Sequence, residues 1–548
     1  MRMSVRILGL ACAVVLLPSC GFRLPGGEGN DTQEVASAGA PVPAQLPDAG
    51  SVTPWSRPTR GSDYESAQCW FAMPAGHAVE CGYVTVPQQA SQPNGPKLKI
   101  AVATVYSTQA SAALEPVVFI DGGPGDPSIR KILEPTDLFE PLLANRDLVL
   151  IDQRGVGFSQ PTLECPGVDR VGTFDAALLT TATRACRDAL SAQGVDLSAF
   201  SIENAAADIE AARVALGYPR WNLYAISYGT RVSLNVARDW AAGVRSLALD
   251  GIVPPQIDFV ADTVAAAQQS FERVFDSCAK QIACAARFGN VAQKLRDLVT
   301  RLNNSPQTLA GTPAPLTGRE LIRSLRGLLY RPNTIAQLPA LIEQLSLGDM
   351  SWFTQAASST PVGGATAWGV YFSNICSTEL PFTSRAQVAA TLGTVDPLYA
   401  QVADTELFDL CPIWNVRAAP AIENLPITSA IPSLLTSGSF DPITPPAFGS
   451  LVAAGLSTHF EMTLSNESHG STLSACGTKL LNAFLDSPNR SPDSSCIAAQ
   501  SLPAFATAGS AERFESFGAQ LSFSTAVDRK QLPSPATGLS RFRALPQR

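Results

Sequence analysis

Histidine is nearly absent from this chain: 548 residues hold three, at positions 77, 459 and 469. That scarcity, with no Cys-x-x-Cys spacing among the twelve cysteines, argues against a zinc site, and no metal or cofactor is expected. It also leaves very few places for chemistry that needs an imidazole base. Charge is sparse too, at 16% of residues, with a formal net charge of −8. No basic stripe with interleaved aromatics occurs, so nucleic acid is not an expected partner. The apolar stretch at 7–17 is too short to span a bilayer comfortably. With Arg2 and Arg6 ahead of it, this stretch reads as the core of an export signal.

The signal ends in Leu17-Pro18-Ser19-Cys20-Gly21, which resembles a bacterial lipobox. Cys20 is then the expected lipidation site and the first residue of an envelope protein held to the membrane by its lipid; ordinary cleavage and release is the alternative. Removing the two leader cysteines leaves ten, an even number, and in an exported chain these are expected to form disulfides. Ten cysteines allow on the order of a thousand pairings. They fall in close twos, and neighbour pairing is the expectation: 69–81, 165–186, 278–284, 376–411 and 476–496.

With 45% hydrophobic residues, the chain can bury a large core and exceeds one typical domain in length. Residues 1–20 are the expected signal and 21–65, rich in Gly, Pro, Ala and Ser, a flexible tether. From 66 to 254 short apolar strands alternate with helices. Two early strands are expected at 81–87 and 98–107, followed by PVVFI at 116–120, DLVLI at 147–151, NLYAI at 222–226 and VRSLAL at 244–249. A helix is expected at 204–216, capped by Asn204. The alternation predicts an α/β fold with a mostly parallel sheet. From 255 to 425 strands give way to amphipathic helices, the pattern of an inserted helical cap. Strand patterns resume over 426–500, and 501–548 is a tail of no assigned role.

The stretch that organises the chain is RWNLYAISYGTR at 220–231. It reads as strand, turn, helix, with Ser227 at the turn. Ala225-Ile226-Ser227-Tyr228-Gly229 matches the G-x-S-x-G nucleophile elbow with Ala in the first glycine position. Only small residues fit two before and two after a serine lifted clear of a sheet in this way. A serine nucleophile needs a base, a carboxylate to orient it, and N–H donors for the oxyanion. Of the three histidines, His77 lies ahead of the first strand and His459 begins a strand. His469 follows the last strand, beside Gly470, and is the expected base. Asp441, after the strand at 431–437, is the expected orienting acid; Asp250, after the strand at 244–249, is the alternative. The order Ser227, Asp441, His469 is that of α/β-hydrolases. The oxyanion donors are expected from the backbone of Tyr228 and of the Gly122–Gly123 loop.

DGGPG at 121–125, DQRGVGFS at 152–159, NLYAISYGTR at 222–231, LDGIVPP at 249–255, SGSFDPITPP at 437–446 and SHG at 468–470 together resemble the tripeptidyl aminopeptidase-like α/β-hydrolases. These are relatives of prolyl iminopeptidase. The resemblance implies an α/β-hydrolase core, a helical cap, a TAP-like C-terminal segment and a Ser227–Asp441–His469 triad. Two departures stand out: Asp121 occupies the position where relatives often carry His, and Ala225 replaces the elbow's first Gly. The resemblance also implies an acid that holds the substrate's α-amine, for which Glu379, in a loop pinned by Cys376, is the candidate. An exopeptidase acting on peptides is the leading expectation. A carboxylic-ester hydrolase is the second, because the triad does not distinguish ester from amide, and a non-catalytic surface binding protein is the third.

Overall fold

The computed structural model describes residues 58–507, apart from 72–75, 109–113, 134–137, 172–175, 311, 313, 355–365 and 502–503. The expected signal, Cys20, most of the tether and nearly all of the tail lie outside the described residues.

Nine strands among the described residues form one sheet: β1 (Tyr64–Ala67), β2 (Val79–Pro87), β3 (Lys97–Val105), β4 (Val117–Ile120), β5 (Leu148–Ile151), β6 (Trp221–Ile226), β7 (Val244–Asp250), β8 (Ser433–Gly438) and β9 (His459–Leu464). Their order is β1-β2-β3-β5-β4-β6-β7-β8-β9. The β1–β2, β2–β3 and β3–β5 pairs are antiparallel, and every pair from β5–β4 to β9 is parallel. This is an α/β-hydrolase fold. The central strands are buried on both faces, as continuous apolar runs such as VVFI and LVLI require. Alternate side chains serve opposite faces. Val118, Ile120, Leu223 and Ala225 join the core under the helices Ile202–Ala215 and Tyr228–Asp239. Phe119, Tyr224 and Ile226 join the other core, with Phe484 of the helix Ala475–Asp486.

Between β7 and β8 the described chain is mostly helical. Helices Phe259–Lys280, Val291–Asn304, Gly318–Leu328 and Leu338–Ser346 share a separate core that includes Phe271, Leu295, Leu321 and Leu341. Phe440, from the loop after β8, is fully buried in that same core. Burying a side chain of this size is worth roughly 1.5–3 kcal/mol. The Ser270 hydroxyl adds a 2.6 Å hydrogen bond to the Phe440 carbonyl. The helical layer is thereby tied to the residue next to Asp441.

Two local expectations need correction. Ser201, not Asn204, precedes the helix Ile202–Ala215 in extended conformation. Asn204 lies in the first turn, where its amide donates to Ala199 O at 3.1 Å and to the Gln89 side chain at 3.1 Å. Residues 374–378 are not a loop: they end the helix Trp368–Thr378. The disulfides are Cys69–Cys81, Cys165–Cys186, Cys278–Cys284, Cys376–Cys411 and Cys476–Cys496, the neighbour pairing.

Candidate active site

Ser227 sits between β6 and the helix Tyr228–Asp239 at φ 58°, ψ −130°, a strained conformation for a residue with a side chain. It is the one partly exposed residue in an otherwise buried stretch from 221 to 237. Close packing on both sides holds the turn. A Cβ on Gly229 would lie 2.4 Å from the Ile120 carbonyl oxygen, and one on Gly122 would lie 2.6 Å from the Ser227 Cβ. Ala225 has no exposed surface, and its methyl is absorbed by the core. The Ser227 N–H donates to the Asp250 carbonyl at 2.9 Å, which ties the elbow to the end of β7.

Asp441 and His469 are brought together. The Asp441 Oδ2 is 2.8 Å from His469 Nδ1. A carboxylate only accepts, so the proton is on Nδ1 and Nε2 is left as the acceptor. Asp441 is held in turn by the N–H groups of Ile443 (2.9 Å) and Thr444 (2.8 Å) and by the Thr444 hydroxyl (2.7 Å). Burial alone would lower the His469 pKa. The charge and hydrogen bond of Asp441 outweigh it and hold the imidazole above the ordinary histidine value. The ring packs edge-on against Tyr330 of the helical layer at 5.0 Å between centroids. Gly251 also makes room for the ring: a Cβ there would stand 3.2 Å from the imidazole.

Asp250 is engaged elsewhere. Its Oδ1 accepts from the Ser471 hydroxyl at 2.8 Å and its Oδ2 from the Thr472 N–H at 2.7 Å. It shapes the turn after His469 rather than orienting the ring. His77 bonds Glu140 at 2.9 Å, and His459 bonds the Leu456 carbonyl at 2.8 Å.

Ser227 and His469 open on one cavity of about 370 Å³. Phe119, Leu138, Phe139 and Ile226 give it an apolar wall, and Tyr330, Trp368 and Tyr371 come from the helical layer. Gly122 and Gly123 line it as well, but the Gly122 N–H already donates to Asp121 Oδ1 at 2.9 Å. Gly123, at φ 104°, and Tyr228, first in its helix, present the N–H groups without an acceptor among the described residues.

Glu379 is not at this cavity, which corrects the expectation that it meets a substrate amine. It follows the helix Trp368–Thr378, and its carboxylate turns inward to Arg231, fully buried in the helix after Ser227. The Thr378 hydroxyl also donates to it, at 3.0 Å. The acids that do line the cavity are Asp121 and Asp126, on the loop after β4. Asp121 lies 3.5 Å from Lys131. Asp126 accepts from the Thr366 hydroxyl at 2.6 Å, and burial, with the neighbouring Asp121 charge, raises its pKa. Sequence reasoning missed Thr444 and Asp126. Thr444 carried a usable signal: it stands three residues after an Asp that folds a turn over its own chain.

A mostly parallel sheet of this order, carrying a serine at such a turn, makes the chain a serine hydrolase of the α/β fold. The family model for the alpha/beta hydrolase fold matches residues 115–311, and the model for TAP-like protein matches residues 396–496. The chain thus carries an α/β-hydrolase segment followed by a TAP-like segment. It is 25% identical over 460 residues to YuaR of Escherichia coli K12, an alignment covering 78% of this chain and 90% of that one. It is 23% identical to serine protease Hip1 of Mycobacterium tuberculosis H37Rv over 517 residues, 87% and 92% of the two chains. It is 24% identical to the tripeptidyl aminopeptidase of Streptomyces lividans over 331 residues, 56% and 61% of the two chains.

Proposed function

We propose that the protein is an exported serine exopeptidase that cuts short peptides from a free N-terminus. The observation that carries the catalytic part is the 2.8 Å Asp441–His469 contact at a cavity shared with Ser227. In this reading His469 Nε2 takes the Ser227 proton as the hydroxyl attacks the scissile carbonyl. The N–H groups of Gly123 and Tyr228 receive the oxyanion. The imidazolium, steadied by Asp441, then protonates the leaving amine, and water releases the acyl group by the same steps in reverse. The peptidase part is supported by relatives named protease and aminopeptidase. The amine would meet Asp126, with Asp121 beside it, in place of Glu379; the charge of an ammonium would offset the burial that raises the Asp126 pKa. The ten paired cysteines suit an oxidising, extracytoplasmic location, and the lipobox-like sequence supports a lipid anchor at Cys20.

The apolar wall of the cavity favours a second reading, ester hydrolysis, since Phe119, Leu138 and Phe139 would also accept an acyl chain. The experiment compares the chain from residue 20 onward with its Ser227→Ala variant on free-amine peptides, N-acylated peptides and a short-chain ester. Cleavage of free-amine peptides alone, lost in the variant, supports the exopeptidase. Ester turnover without peptide cleavage selects the esterase, and no serine-dependent turnover or fluorophosphonate labelling rejects both.

A further inference from the structure

Four cationic side chains line the cavity, and three of them have carboxylates. Lys131 stands by Asp121, Arg323 by Asp404 and Glu406, and Arg326 by Asp404 at 3.8 Å. Arg331 has no hydrogen-bond or carboxylate partner for its guanidinium among the described residues. It is half-buried, just before the short helix Pro332–Ile335, with its backbone fixed by Thr334 and Ile335 N–H bonds to its carbonyl. Its Nη1 is 3.6 Å from where a Cβ on Gly470 would stand, one residue beyond His469. A guanidinium that lines the cavity without a carboxylate of its own can take an anionic ligand in a charge-assisted hydrogen bond. Its place beside His469 fixes which part of a substrate it meets. The base that protonates the departing amine faces the leaving group, and in a single-residue leaving group the carboxylate is only two bonds from that amine.

We propose that Arg331 receives a carboxylate on the residue immediately after the scissile bond, so that short peptides ending there are preferred. This inference rests on the peptidase reading above. The carboxylate can be the C-terminal one or an acidic side chain, and the test separates them. Free-amine di-, tri- and tetrapeptides are first cut and their products identified by mass, and the length whose cleavage leaves a single residue is then compared as C-terminal acid, C-terminal amide, and amide with Asp in the last position. They are measured on wild type, Arg331→Met and Arg331→Lys, both as kcat/KM and as protection of Ser227 from a fluorophosphonate.

In wild type the acid is expected to exceed the amide by about ten- to a hundredfold, the span of a charge-assisted hydrogen bond. Arg331→Met brings that ratio near one, and Arg331→Lys keeps part of it. Because each ratio is read within one variant, partial misfolding cancels. Preference for the Asp amide as well as the acid means that either carboxylate is taken. Equal handling of acid and amide by wild type, or an unchanged ratio in Arg331→Met, overturns the inference. If no peptide is cut the peptidase reading fails, and protection from the phosphonate still decides whether Arg331 selects carboxylates.

Discussion

Asp441 and His469 meet at 2.8 Å, and the Thr444 hydroxyl stands within hydrogen-bond distance of both, at 2.7 Å and 3.0 Å. The acid is thus saturated by its own turn and cannot swing away from the ring. Asp441→Asn should lower kcat by roughly 10³- to 10⁴-fold, because an amide can present its N–H to Nδ1 and favour the wrong tautomer. Thr444→Val removes only the support and should cost about tenfold to a hundredfold in kcat, with KM little changed. Steady-state kinetics on one substrate checks both. Equal losses in the two variants would mean that the hydroxyl does more than position the acid.

The raised His469 pKa sets the direction of the pH profile. Attack needs the neutral ring, and a group held above its ordinary value stays protonated to higher pH. The ascending limb of kcat/KM should therefore lie above about pH 6.5. Removing the Asp441 charge leaves burial as the dominant influence, and the limb in Asp441→Asn should move down. A wild-type limb below about pH 6 would contradict the pairing that raises it.

Much of this arrangement was legible because of scarcity and repetition. Three histidines and one elbow left His469 nearly forced, and short apolar runs at 117–120 and 148–151 could be little else but buried parallel strands. The strand Tyr64–Ala67 was not legible: it is four residues, half exposed, and held by pairing to β2 alone. The helix Trp368–Thr378 was missed because it is buried nearly all round and lacks the polar face that marks an amphipathic helix. That error carried Glu379 with it. A carboxylate looks equally polar in sequence whether it faces a cavity or a buried arginine. Asp126 and Arg331 reach one cavity from the loop after β4 and from the helical insertion, and spacing along the chain does not encode that.

Arg231 and Glu379 form an ion pair with almost no exposed surface, four residues beyond Ser227 on one side. Glu379→Ala strands a buried guanidinium and should cost about 3–5 kcal/mol of stability in denaturant unfolding. Replacing both by Arg231→Met and Glu379→Leu should recover most of that loss. The more conservative Glu379→Gln, if folded, should keep the wild-type preference for free-amine over blocked peptides. Loss of that preference with normal stability would return Glu379 to the substrate site.

Gly229 tests whether the elbow's strain matters to chemistry as well as to folding. A Cβ there would meet the Ile120 and Asp121 carbonyl oxygens at 2.4 Å and 2.7 Å, both of them backbone atoms on the strand and loop that carry Gly123. A side chain could bend away, but these carbonyls move only with the loop. Gly229→Ala should then shift the loop relative to Ser227 by several tenths of an ångström and destabilise the fold by about 1–3 kcal/mol. Misplacement on this scale at a reacting centre is worth about 10²-fold in rate. The fluorophosphonate labelling rate of Ser227, measured at a temperature where the variant remains folded by circular dichroism, should fall by about that factor. Ala225, whose methyl the core already absorbs, supplies the comparison: Ala225→Gly should change the labelling rate by less than about threefold, and a comparable loss in both variants would show that the elbow is merely fragile.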